Sequence, residues 1–298
     1  MKPWKAELFL VLVTFIWGAT FLFTKLGLRD CPPSVYIIIR FSIALLLSFI
    51  FFGRYLFKLQ LDTIKHGIVL GLLFGGGFLL QTYGLKFTTV SKTAFITGIT
   101  VIFTPMTYAL VVRRKIHFWQ KAGVLVAMPG LWLFTNPSFD NVNIGDILTL
   151  ISTLFWAFYI TYLDVFTKNK KEFHITAQLV MLQFLAAAPI SVISFFVLEV
   201  QNFHFNLTTN LVVSLLFNGI LASFIVTLIH TGTQKYTAPV KAALIFTLEP
   251  VIASIFAMIV LNEFLTLPEY IGASILFLGV ITSEVGEYVI FYIKSKFK

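Results

Sequence analysis

Phe87-Thr88-Thr89-Val90-Ser91-Lys92-Thr93-Ala94 is written again, 149 residues later, as Tyr236-Thr237-Ala238-Pro239-Val240-Lys241-Ala242-Ala243. An aromatic, a threonine, a lysine and an alanine keep their places, and the same offset pairs Gly123 with Gly272 and Gly130 with Gly279. Further upstream, Thr14-Phe15-Ile16-Trp17 returns as Thr153-Leu154-Phe155-Trp156 at an offset of 139. Any two apolar helices share some letters. Matched pairs at one gap-free offset, with two lysines among them, mark a duplicated unit.

The unit is made of membrane-length segments. Of 298 residues, 58% are hydrophobic and 12% charged, at a mean hydropathy of +0.91. Soluble domains carry about 25% charged residues, so a water-soluble enzyme, a disordered chain and a secreted disulfide scaffold are excluded. One cysteine, Cys31, permits no internal disulfide and no Cys-rich metal site. A helix crossing the hydrocarbon needs about 20 mostly apolar residues. Ten such spans follow one another: 7–28, 34–53, 67–85, 93–112, 118–135, 146–167, 174–198, 209–231, 239–261 and 269–291. Turn and helix-ending residues mark the joints, among them Pro32-Pro33, Gly53, Asn136-Pro137, Asn206 and Pro268. Backbone groups in lipid must be satisfied within the segment, so the spans are helices. Five spans per copy make the second copy enter the membrane from the other side. The predicted fold is an all-α integral membrane protein of ten transmembrane helices in two inverted five-helix repeats, 8–135 and 146–284, an architecture that transporters use to surround a midplane site.

Charge sets the orientation. Lys and Arg number 22 against 13 Asp and Glu, a net charge of +9. Sixteen of the 22 lie on the side that carries both termini and four on the other, while Arg40 and Lys241 fall inside spans. Basic loops stay in the cytoplasm, which places both termini there, in a cell (inner, cytoplasmic) membrane. The surplus is a topology signal and gives no support for nucleic-acid binding.

The segment Phe15-Ile16-Trp17-Gly18-Ala19-Thr20-Phe21 with Lys25, Pro33 and Ile39-Arg40-Phe41 resembles the opening half of the EamA family of the drug/metabolite transporter superfamily. Leu248-Glu249-Pro250-Val251, Val260-Leu261-Asn262-Glu263, Tyr270-Ile271-Gly272 and Gly279-Val280 resemble its C-terminal signature. The resemblance runs over about residues 8–284 and implies a ten-helix carrier of small organic metabolites, often an exporter, with a central cavity and alternating access. It also implies that Arg40, Pro105 and Pro250 are structural hallmarks. The repeats have diverged at one place: the offset sets Thr100 against Glu249, and Pro105 falls one helical turn beyond the position of Pro250.

Candidate site residues follow from position and chemistry. Glu249 lies near the middle of a span, where a carboxylate is costly and faces a cavity or a partner. It is expected to exchange a proton, the candidate coupling ion, or to meet a cationic substrate group. Pro250 frees the Phe246 carbonyl and allows a kink. Lys92 and Lys241 begin matched spans; they read either as interfacial anchors or as gate residues pairing with acids. Trp17 and Trp156 are symmetry mates near mid-span and candidate cavity walls, with Gln81, Thr97, Thr100 and Tyr159 as further lining. Arg40 reads as a helix-to-helix hydrogen-bonding group. Gly75-Gly76-Gly77 leaves room for close helix approach, and His230 reads as interfacial. Partners are then a small-molecule metabolite and the surrounding lipid; no cofactor or metal and no oligomeric state is implied. The alternatives are a lipid-linked sugar flippase or nucleotide-sugar-type carrier, which would want basic residues in the cavity, and an integral membrane enzyme. The chain offers no His-Glu-x-x-His and no Gly-x-Ser-x-Gly for the latter.

Overall fold

The computed structural model describes residues 1–113, 115–135, 142–170, 172–261 and 266–296. Arg114, Lys171 and Lys298 of the charge pattern, the Asn136-Pro137 joint and Asn262-Glu263 lie outside them. The described chain is helical, without a strand: α1 Pro3–Gly27, α2 Pro33–Phe52, α3 Leu61–Phe87, α4 Val90–Gly98, α5 Thr100–Val112, α6 Phe118–Thr135, α7 Ile144–Thr167, α8 Phe173–Ser194, α9 Thr209–Leu216, α10 Val226–Thr233, α11 Pro239–Phe246, α12 Glu249–Leu261 and α13 Leu267–Lys296. Among the described residues, eight helical stretches are long and apolar enough to cross a bilayer. With α6 and α13 they make the ten crossings of a multi-pass membrane protein.

The sequence starts its helices with recognisable devices. Proline occupies the first turn of α1, α2 and α11, where its missing N–H costs nothing. Thr89 and Thr208 cap α4 and α9. Asn143 and Asp146 form a reciprocal capping box on α7.

Two spans are broken, and at matched places. The fourth divides into α4 and α5 at Ile99, and the ninth into α11 and α12 at Thr247-Leu248; the repeat offset sets Ile99 against Leu248. Pro250 accounts for the second break, since it cannot donate to the Phe246 carbonyl. Pro105 does not account for the first, because it lies inside α5. Discontinuous spans at corresponding positions of two halves are where carriers build their sites. The eighth span is also irregular: Phe217–Ile225 is a π-helix between α9 and α10.

The halves interdigitate rather than sit side by side. α3 packs along α7 and α8, α2 along α8, and α1 against α9 to α12. α6 and α13 stack on each other through the repeated glycines. A Cβ on Gly123 would lie 2.7 Å from the Gly279 carbonyl oxygen, and one on Gly279 would lie 2.8 Å from that of Gly123. Gly130 and Gly272 meet in the same reciprocal way. At one end of the bundle Thr208 donates to Asp30 and the Ser34 amide to buried Glu199. At the end carrying the N-terminus, Gln178 donates to the Tyr55 carbonyl and Lys235 to that of Lys170.

Candidate functional site

Both helix breaks open on one cavity, where α1, α3, α4, α5, α7, α10, α11 and α12 converge. Its wall is an aromatic box. Trp17 and Trp156 face each other at 6.0 Å between ring centroids; Phe78 stands edge-on to Trp156 at 4.7 Å, and Phe246 lies 5.2 Å from Trp17. Small residues make room for the box. A Cβ on Gly77 would come within 3.2 Å of the Trp156 ring, and one on Gly18 within 3.1 Å of the Glu249 carbonyl oxygen.

The two symmetry-related tryptophans differ in their hydrogen bonding. Trp17 Nε1 donates to the Ala222 carbonyl at 3.1 Å, an oxygen presented by the π-helical stretch of span 8. Trp156 Nε1 is buried with no partner among the described residues, as are Thr100 Oγ1 and His230 Nδ1, all on lining residues. Buried polar groups are almost always hydrogen-bonded; six other buried side-chain atoms among the described residues, including Arg40 Nη2 and Ser191 Oγ, also lack a partner, but these three border the cavity and are free to meet a solute. Glu249, the first residue of α12, lines the same cavity, 8% exposed, and its carboxyl has no hydrogen-bond or ion-pair partner among the described residues. Gln81 Nε2 donates to Thr97 Oγ1 at 3.0 Å across the wall between α3 and α4.

The structure thus brings together Trp17, Gln81, Thr97, Thr100, Trp156 and Glu249. Tyr159 is not on the wall: it is fully buried behind Trp156 and Phe74 and donates to Gln183 Oε1 at 2.7 Å. Arg40 is also outside the lining. It is 1% exposed, donates from Nε to Ser223 Oγ at 2.7 Å, and lies 4.2 Å from the centroid of the Phe78 ring. It bonds helix to helix, from α2 to span 8, and supports a cavity residue from behind. Pro250 opens α12 beneath Glu249, whereas Pro105 sits in α5 off the cavity. Lys92 and Lys241 stand at the two ends of the bundle, 3.5 Å from Asp146 and 3.6 Å from Glu7.

His230 corrects an expectation. It is not at the membrane edge but 1% exposed inside the cavity wall, edge-on to Trp17, Tyr159 and Phe246, with Nε2 bonded to Gln234 Oε1 at 3.0 Å. A polar stripe at helical spacing, Thr227, His230, Thr231 and Gln234, is the sequence signal for that inward face. A second buried group has no distinguishing mark in the sequence. Glu199 accepts from Tyr83 at 2.6 Å and from the Ser34 amide at 3.0 Å, so it caps α2 from the end of the seventh span. No cluster of metal-binding side chains occurs among the described residues.

With this geometry established, comparison with known proteins places the chain. The profile of the EamA-like transporter family matches residues 4–136 and again 143–283. The chain belongs to the EamA-like transporter family. An uncharacterized transporter of Archaeoglobus fulgidus is 32% identical over 281 residues, covering 94% of this chain and 86% of the relative. A protein of Escherichia coli K12 named as a probable amino-acid metabolite efflux pump is 24% identical over 288 residues, covering 93% of each. A crystal structure sharing 14% identity superposes with a TM-score of 0.74 over 94% of this chain and 98% of its own, which shows a shared fold. In this EamA-family transporter the family profile occurs twice along the chain.

Proposed function

We propose that this EamA-family protein is a secondary transporter that exports a small organic metabolite, such as an amino acid, by alternating access around the aromatic cavity. The observation that carries the reading is the set of polar groups in that cavity without a partner among the described residues. Glu249 supplies an acceptor for an ammonium group. Trp156 Nε1 supplies a donor for a carboxylate or carbonyl, and Thr100 and His230 supply adjustable hydroxyl and imidazole groups. The aromatic walls take an apolar side chain. The E. coli relative's printed name supports the amino-acid class.

No lysine or arginine is among the described lining residues, which disfavours a phosphorylated or nucleotide-sugar substrate. Both termini lie in the cytoplasm of the cell membrane in this reading, on the strength of the basic loops. Glu249 carries the coupling proton, and His230 is the other titratable group facing the cavity.

The test is flux in proteoliposomes against a panel of amino acids and related amines, with and without an imposed pH gradient. The expected result is saturable movement of a zwitterionic or cationic solute that the gradient accelerates. Absence of flux for the whole panel, together with turnover of a lipid substrate, would refute the reading.

A further inference from the structure

The two lysines that begin the broken spans sit in the same three-residue arrangement at opposite ends of the bundle. At one end Asp146 accepts from Thr88 Oγ1 at 2.5 Å and pairs with Lys92 Nζ at 3.5 Å. At the end carrying the N-terminus, Glu7 accepts from Thr237 Oγ1 at 3.3 Å and pairs with Lys241 Nζ at 3.6 Å. The repeat relates all three positions. Thr88 and Lys92 map to Thr237 and Lys241 at the 149-residue offset, and Glu7 maps to Asp146 at the 139-residue offset that relates the tryptophans.

Each triad crosses between the halves. Threonine and lysine come from one repeat and the acid from the first turns of the other, so neither triad stabilises a half by itself. Each lysine also rides on a short arm. α4 runs from Lys92 to Thr97 and Gly98 on the cavity wall, and α11 runs from Lys241 to Ala243 and Phe246 on the same wall. Both arms are severed from the rest of their spans at the matched breaks. A solute seated against Thr97 and Thr100, or against Phe246 and Glu249, therefore bears on an arm whose far end is tied to the other half through its triad. The pairs are largely buried, with Lys92 23%, Asp146 9%, Lys241 10% and Glu7 14% exposed by side chain, so a pair that parts has to be rehydrated or re-partnered as its end of the path opens.

The environments of the arms differ although their sequences correspond. Every residue of α11 is buried, whereas Lys92, Phe95, Ile96 and Thr97 of α4 are only partly so. Two copies of one device in two packing states are what an inverted repeat provides when its halves exchange conformations.

We propose that the triads Thr88–Asp146–Lys92 and Thr237–Glu7–Lys241 are alternating latches, each holding shut one end of the path to the cavity, so that access switches sides by parting one while the other stays made. The proposal rests on the transporter reading of the cavity. The alternative arrangement is a pair of static staples that never open.

The experiment places a single cysteine at the cavity end of each arm, Thr97→Cys or Ala243→Cys, in a Cys31→Ala background. It reads labelling by a membrane-impermeant charged maleimide added to one face of sealed vesicles at a time. Glu7→Gln is expected to raise labelling of Ala243→Cys several-fold from the face carrying the N-terminus and to lower labelling from the other. Asp146→Asn is expected to do the reverse with Thr97→Cys. Unchanged labelling in both, or a change on the same face in both, would overturn the proposal. Bridging Glu7→Cys to Lys241→Cys with a short bifunctional thiol reagent gives a second measurement in a protein already folded and inserted. It should close the N-terminal face to labelling and leave the other open; labelling that continues from the bridged face would also overturn the proposal. Labelling needs no substrate, so a panel that shows no flux would refute the transport reading while this assay still decides the latches.

Discussion

Glu249→Gln lowers solute flux by about 100-fold and removes its response to a pH gradient. The substitution keeps the size of the side chain and its place at the start of α12, and removes only the charge and the titration. In the structure that carboxyl lines the cavity with no cation beside it among the described residues. A carboxylate that ionises against a cationic ligand group in a low-dielectric site interacts strongly with it, and removing one partner of such a desolvated pair costs about 2–5 kcal/mol. About 2.7 kcal/mol corresponds to two powers of ten. The measurement is initial flux in proteoliposomes at matched protein content, with symmetrical and stepped pH. Flux and pH response that match the parent would remove Glu249 from both binding and coupling. Retained flux with a lost pH response would assign it to coupling alone.

Gly272→Ala lowers thermal stability far more than Gly53→Ala. A Cβ at Gly272 collides with the backbone nitrogen of Phe134 and comes within 2.8 Å of the Gly130 carbonyl oxygen. Both are main-chain atoms and cannot swing aside, so α6 and α13 must separate. Forcing extra volume into a packed contact costs about 1–3 kcal/mol. A Cβ at Gly53 meets nothing closer than 3.8 Å and sits on ordinary right-handed helical backbone. The midpoint of thermal unfolding in detergent, read as loss of the monodisperse species, checks the pair. Equal midpoints would show that the α6–α13 stack is not held by close glycine contact.

The architecture was legible because a bilayer simplifies it. Span length, turn residues and the doubled Phe/Tyr-Thr…Lys-x-Ala phrase each report on one dimension of the chain, and together they lead to ten helices in two inverted copies. The glycine face of α6 and α13 could be read for the same reason, since its seven-residue spacing survives in both copies. The break at Ile99 could not, because a lone Gly98 is an ambiguous mark inside a helical pattern and the proline of that span lies further on, inside α5. Its place is visible only when Leu248, beside Pro250, is carried back by the repeat.

The site was legible in its charges and less so in its neutral groups. Glu249, Thr100 and both tryptophans reach one cavity, as mid-span polar and symmetric aromatic residues should. Tyr159 missed the wall by the width of Trp156, a matter of helix rotation that spacing alone does not settle. His230 was set at the interface from its distance along the span, whereas the π-helical stretch of span 8 and the inward stripe around it bury it. Glu7 and Asp146 carry no distinguishing signal, because acids near helix starts are common. Their correspondence emerges only when Lys241 and Lys92 are found beside them.

Alternating access around this cavity is tested most directly by counterflow. Proteoliposomes loaded with an excess of one transported unlabelled solute are placed in a trace of the labelled solute without any ion gradient. A carrier whose cavity faces one side at a time is expected to accumulate label transiently above the outside concentration, and Glu249→Gln to lose most of that overshoot. Label that only equilibrates, with a rate independent of the internal load, would contradict the account and indicate an open pore.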